Sequence, residues 1–279
     1  MHIRWLLLQT SHYSWIRNFY RIAKHIPGIG KVLSSVVHCV FTYGTRVWVR
    51  VTAGLGKGLW LNIDPRYETD YWNGNHEPTV QRLLAERLRP GWIFYDIGAH
   101  IGFFSLIAAR LVGKDGKIFA FEADPENAAR LKEHIQKNAL HQVEVVQVAV
   151  WSEDGYVRFQ RSSKFSSRNT GAVASADNPI KTTIVEGEII QVSSITLDKF
   201  VQAGNPPPHF VKMDVEGGEV SVLKGMKWVL QSQAPILLIE IHSEQNLWAV
   251  SELLSPFKYA IRPLLGKADH FPSHFIAEP

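Results

Sequence analysis

The sequence holds one cysteine, Cys39, so no intrachain disulfide can form and the fold must rest on packing alone. A lone cysteine fits a reducing compartment, and the expectation is a cytoplasmic chain. No stretch approaches the length of a membrane-spanning helix. The apolar Trp5–Leu8 is too short for the core of a secretory leader, and Gln9-Thr10-Ser11-His12 interrupts it. Neither charge dominates: a net charge of +4 is too mild to call for a nucleic-acid partner. Internal repeats and long low-complexity tracts are also missing, which argues against a solenoid or a disordered array.

What is present describes a globular protein. The 279 residues, 46% hydrophobic and 20% charged, can bury a large core. Basic residues gather near the N-terminus, where Arg4, Arg17, Arg21 and Lys24 interleave with Trp5, Trp15, Phe19 and Tyr20. Residues 1–45 therefore read as a helical extension, ahead of a main domain at 46–279. Such an amphipathic segment either caps the main domain or makes a peripheral contact with a membrane surface.

"RVWVRV" and "GLWLNID" suggest a hairpin, and "EPTVQRLLAERL" a helix ended by Arg89-Pro90-Gly91. Strand and helix signals then alternate. The expected strands are "WIFYDI", "KIFAFE", "VEVVQVAV", "HFVKMDV" and "ILLIEIH", with "YAIRPL" and "HFIAEP" as a closing hairpin. Between them "GFFSLIAARLV", "NAARLKEHIQKNAL", "GEVSVLKGMKWVL" and "NLWAVSELL" read as helices. Continuous apolar strands separated by helices indicate an α/β fold, a mostly parallel seven-stranded sheet covered on both faces. Residues 161–188 break the rhythm as a polar stretch, a candidate binding loop carrying Arg161, Lys164 and Arg168.

In such a sheet, ligands sit beyond the C-terminal ends of the strands. There "YDIGAHIGFFSL" places Asp96, Gly98 and Gly102 in a D-x-G-x-x-x-G turn. The dinucleotide spacing G-x-G-x-x-G is absent, and a carboxylate is a poor neighbour for a pyrophosphate but a good one for a cation. Glu122 closes the next strand, where a carboxylate can accept hydrogen bonds from both ribose hydroxyls. A nucleoside with a free ribose and a cationic, phosphate-free tail has the composition of S-adenosylmethionine (SAM). The bland alternatives are a helix cap for Asp96 and a solvated strand end for Glu122.

The segments "YDIGAHIGFFSLIAA", "AFEADPENAARLKEHIQKN", "VKMDVEGGEVSVLKGM" and "LLIEIH", with "GNHEP" and "SSITLDKF", resemble the FkbM-type family of SAM-dependent methyltransferases. The resemblance runs from about Leu61 to the C-terminus. It implies a Rossmann-like class I methyltransferase fold, SAM as methyl donor, and O-methylation of a sugar, glycan or natural-product hydroxyl. It carries SAM binding onto Asp96, Gly98, Gly102 and Glu122, with Ala99 and His100 inside the same turn. His100 departs from the asparagine common at that position. Glu77, in "NHEP", closes over SAM or the acceptor, or is ordinary first-turn charge. Ala149, ending the third strand, is a candidate adenine contact.

Methyl transfer from a sulfonium to oxygen requires alignment and removal of the hydroxyl proton. Candidate catalytic residues are Asp214, Glu216 and His242, with Glu219 and Glu240 beside them. Asp214 or His242 could act as general base, the first only with a raised pKa. Alternatively Asp214, Glu240 and His242 could ligate a divalent cation, or Asp214 and Glu216 could merely cap a helix. Lys212 is expected to snorkel to the sheet edge. The rival functions are a nicotinamide-dependent oxidoreductase and a non-catalytic module, SAM-binding or membrane-bound, on the same fold.

Overall fold

The computed structural model describes residues 44–161, 171–174, 188–266 and 270–279. Most of the expected extension at 1–45, including Cys39, and most of the polar stretch at 161–188, including Lys164 and Arg168, lie outside the described residues.

The expected hairpin forms, β1 (Val47–Arg50) pairing antiparallel with β2 (Trp60–Ile63) as a separate small sheet. A four-residue helix the sequence did not announce, α1 (Thr69–Trp72), leads to α2 (Pro78–Arg87). Then β3 (Ile93–Ile97), α3 (Phe103–Val112), β4 (Lys117–Phe121), α4 (Pro125–Asn138) and β5 (Val143–Val146) alternate as the pattern predicts. The run "VEVVQVAV", expected as one strand, divides at Gln147. Its end, β6 (Ala149–Val150), leaves for a second sheet with β7 (Gly155–Arg161), β8 (Gly171–Ala174) and β9 (Ile189–Ile195).

The chain continues through α5 (Leu197–Gln202) and β10 (Phe210–Met213) to a second departure from expectation. "GEVSVLKGMKWVL" is not one helix but two, α6 (Glu219–Lys224) and α7 (Lys227–Gln233). At the break, Gly225 lies so near Trp151 that a Cβ would stand 2.1 Å from its carbonyl oxygen. The Asp198 carboxylate then accepts hydrogen bonds from the Trp228 and Val229 N–H groups, starting α7 afresh. Last come β11 (Ile236–Ile241), α8 (Glu244–Leu254), β12 (Ala260–Pro263) and β13 (Ser273–Glu278).

The main sheet has seven strands in the order β12-β13-β11-β10-β3-β4-β5. All its pairings are parallel except those of β13, which runs antiparallel to both neighbours. Each face is packed, because successive side chains of a strand point opposite ways. Phe94 and Phe210 join Leu84, Leu106 and Leu131 on one face. Tyr95, Phe119 and Phe121 join Phe200, Val222 and Val250 on the other. Helices cover both faces, and every strand end that carries a candidate carboxylate opens on the same edge.

One buried ion pair fastens the hairpin to this body. Arg130 on α4 donates two hydrogen bonds to Glu68 (3.0 and 2.7 Å) and a third to the Asn62 carbonyl (2.6 Å). Both side chains are almost wholly buried. Removing one partner of such a pair strands the other charge. Arg130→Met is therefore expected to cost about 3–5 kcal/mol and lower Tm by roughly 10 °C, read by thermal denaturation.

Candidate active site

The glycine turn after β3 owes its spacing to the protein's own packing. Gly98 has φ +76°, and a Cβ there would stand 1.8 Å from the Asp214 carbonyl oxygen. Gly102 has φ +84°, and its Cβ would meet Leu131 Cδ1 at 2.0 Å. The first glycine lets the ends of β3 and β10 abut; the second lets α3 begin against α4. The Gly98 and Ala99 N–H groups both donate to the Phe121 carbonyl (3.0 and 2.9 Å), locking the turn to β4. His134, which the sequence reading passed over, ties it to β2. Its Nε2 accepts from the Asn62 N–H (2.7 Å), so its Nδ1 carries the proton and donates to the Ile101 carbonyl (2.8 Å).

Asp96 stands behind this turn, fully buried, and does not line the cavity. One oxygen accepts from Ser105 Oγ (2.5 Å) and the other faces Lys212 Nζ at 3.7 Å. Lys212 does not snorkel to the edge. It is 3% exposed, between Asp96 and Asp214 (3.5 Å), with Nζ 5.2 Å from the centre of the Phe104 ring. Burial alone would lower its pKa, but the two aspartates outweigh that and hold it charged. The caps of α3 and α6 are Gly102 and Gly218, without side-chain help, so Asp96, Asp214 and Glu216 cap neither helix.

A cavity runs along the strand ends. Of the candidate residues, Glu77, Gly98, His100, Glu122, Ala149, Asp214 and Glu216 line it; Asp96, Ala99, Gly102 and His242 do not. Its described walls carry seven carboxyl side chains and no lysine or arginine. Glu122 is no solvated strand end: it is 6% exposed and accepts from the His100 N–H (2.6 Å) and the Asp124 N–H (2.8 Å). Burial pushes its carboxyl up to about 7 despite these donors. Burial also holds His100 neutral, near 4. Its Nδ1 lies 3.3 Å from Tyr71 Oη, while its Nε2 is buried without a hydrogen bond.

The sequence reading missed two walls. Trp151, Phe159 and Val173, from the second sheet, form an apolar side next to Ala149 and Phe121. Tyr71 and His76, around α1, form the opposite aromatic side, with ring centres 4.2 Å apart. The signal was present as aromatic residues beyond the third strand, but only the split of "VEVVQVAV" into two sheets turns them toward the cavity.

Glu122 ends β4 and Glu240 lies near the end of β11; three strand spacings separate these strands, roughly 14 Å. Around Glu240 the charges interlock. Burial would raise the Asp214 carboxyl, but Lys212 and a hydrogen bond from Glu240 hold it well below the ordinary range. Burial and the Asp214 charge push Glu240 up, so Glu240 carries the proton they share. His242 sits against Glu219 (Nδ1, 2.6 Å), Glu216 (Nε2, 3.4 Å) and Glu240 (Nε2, 3.6 Å). Burial opposes its protonation, yet the glutamates around both ring nitrogens raise its pKa and keep it an imidazolium. Its geometry is that of a fixed cation, unlike the neutral base expected from its type.

The Methyltransferase FkbM domain matches residues 96–267, beginning at the buried aspartate. The chain belongs to this FkbM methyltransferase family. The hexuronic acid methyltransferase AglP of Haloferax volcanii is 30% identical over 230 residues, covering 82% of this chain and 83% of that one. The 2-O-methyltransferase NoeI of Sinorhizobium fredii is 25% identical over 223 residues, 73% of this chain and 89% of that one. A Sulfolobus acidocaldarius protein named "Probable cobalt-precorrin-6B C(15)-methyltransferase (decarboxylating)" is 27% identical over 167 residues, 58% of this chain and 86% of that one. This FkbM methyltransferase is thus a SAM-dependent enzyme on a Rossmann-like class I fold, and the oxidoreductase reading is set aside. The donor set fits the cofactor: carboxylates suit a sulfonium, and the buried Glu122 suits a ribose. Among the described residues no helix is long and apolar enough to cross a membrane.

Proposed function

We propose that this methyltransferase acts on a hydroxyl of a sugar or glycan, with Asp214 receiving the proton. The observation that carries the reading is Asp214 itself, a carboxylate kept ionised by buried Lys212 on the cavity wall, two strand spacings from Glu122 along the order β4-β3-β10. The names of two relatives, one a hexuronic acid methyltransferase and one a 2-O-methyltransferase, support a sugar hydroxyl as acceptor.

Bound SAM supplies an electrophilic methyl group on a sulfonium. Glu122 accepts the ribose hydroxyls, and Ala149, Trp151 and Phe159 offer an apolar slot for the base. Gly98 and His100 bring the turn close to the cofactor, Asp96 acting from behind by fixing Lys212. At the far end Asp214 accepts the acceptor hydroxyl's hydrogen bond. Its carboxyl lies low, not raised as a general base was expected to need, so it takes the proton only as methylation makes the oxygen strongly acidic. Glu216 and Glu219 hold His242 as a positive charge that orients Glu240, and Glu77 closes the acceptor side.

Mass spectrometry across neutral and uronic-acid sugars with SAM supplied is expected to show the gain of one methyl group as an ether. Methylation at carbon, or no methylated product across the panel, would overturn the reading. The ribose assignment has its own test. Only ionised Glu122 accepts both hydroxyl hydrogens, so SAM affinity is expected to rise with pH through about 7. Calorimetry should find binding weakened roughly tenfold between pH 8 and pH 6, and Glu122→Gln should weaken binding and flatten that dependence. A pH-independent affinity in the unaltered enzyme would contradict it.

A further inference from the structure

Two atoms at the acceptor end are paired only with each other. Glu77 Oε2 and His274 Nε2 are shut off from solvent and make no hydrogen bond with any other described protein group. They face one another at 3.2 Å. Glu240 Oε1 lies 3.9 Å from the same histidine nitrogen. The three residues come from distant parts of the chain. Glu77 precedes α2, Glu240 lies in β11, and His274 is the residue opposite Glu240 on antiparallel β13, so the two share a sheet face.

Donors bound about 2.1 Å from one small cation stand roughly 3.0–4.2 Å from each other, from the right-angle to the opposed arrangement. The observed 3.2 and 3.9 Å fall in that range. A second grouping of Asp214, Glu240 and His242 is also compact, but His242 meets Glu219 and Glu216 through its two nitrogens and has no lone pair to offer. We propose that Glu77, Glu240 and His274 form a binding site for one divalent cation of the Mn²⁺ or Mg²⁺ type at the acceptor end of the cavity. Once Glu240 gives up the proton it shares with Asp214 on binding, two carboxylates and an imidazole are a donor set for such an ion, and three protein ligands leave coordination positions open.

The site also answers a problem of charge. Seven carboxyl groups line the cavity, which would repel an acceptor bearing a carboxylate and gives a polyhydroxyl ring few donors. A cation held by Glu77 and Glu240 on the wall, with His274 beside them, presents its open positions to vicinal hydroxyls or to a sugar carboxylate. Its binding does not depend on the sugar O-methyltransferase reading; only its role toward the acceptor does.

Binding of Mn²⁺ to the full chain, stripped with EDTA and desalted, can be read from loss of the free-ion electron paramagnetic resonance signal. One site per chain is expected, with affinity reduced at least tenfold in His274→Ala and in Glu77→Gln. A SAM-induced rise in Tm shared by all variants shows that each is folded. A free-ion signal unaltered by the protein, or full binding in both His274→Ala and Glu77→Gln, overturns the site. Because this readout involves no methyl transfer, its failure is separate from failure to methylate a sugar.

Discussion

Asp214→Asn is expected to slow methyl transfer by about 10²–10⁴-fold while SAM affinity holds. The amide keeps the shape of the side chain and loses its charge, so it can no longer take the hydroxyl proton. Lys212 would keep Asp96 as its partner at 3.7 Å, which limits the structural damage. Initial rates at saturating SAM, with calorimetric SAM binding alongside, separate the two effects. A rate within a factor of a few of the unaltered enzyme would move the proton acceptor elsewhere, and Glu240, which shares a proton with Asp214, would be the next residue to test.

Gly98→Ala should harm both halves of the site. The added Cβ would lie 1.8 Å from the Asp214 carbonyl oxygen, a backbone atom that cannot swing aside. The left-handed φ of +76° adds about 1–2 kcal/mol for any residue with a side chain. Relief requires β3 and β10 to part at their ends, where the Asp214 N–H donates to the Ile97 carbonyl at 3.0 Å. A displacement near 1 Å is enough to cost about 10²-fold in rate. Lower Tm, weaker SAM binding and a rate loss of that order are expected together. Tm and kinetics both unchanged would mean that the turn has slack its contacts do not suggest.

Much of this was readable in the sequence because it depends on local pattern. Seven strands, the hairpin at Val47–Ile63 and the exposure of Glu122 and Asp214 to one crevice follow from apolar runs and where they stop. The breaks were not readable: Gly225 divides a helical pattern because Trp151, far away in the chain, presses on it. Lys212 looked like an edge lysine because nothing local reveals two aspartates and a phenylalanine ring around it. His242 looked like a neutral base for the same reason; Glu216 and Glu219 reach it from the turn after β10 and the start of α6. Residue type suggested the chemistry, but protonation depends on neighbours that only the fold supplies.

Three cavity residues that are not glycine, Glu77, His100 and Glu216, adopt left-handed backbone with φ of 42°, 52° and 52°. Each such conformation costs on the order of 1–3 kcal/mol, so together they hold roughly 3–9 kcal/mol in strained backbone. Whole domains are stable by only about 5–15 kcal/mol. The two cores flanking the sheet therefore carry a debt incurred at its edge. Glycine at these three positions would relax the backbone and loosen the very side chains the cavity holds in place, so greater robustness and a well-aimed site pull this fold in opposite directions.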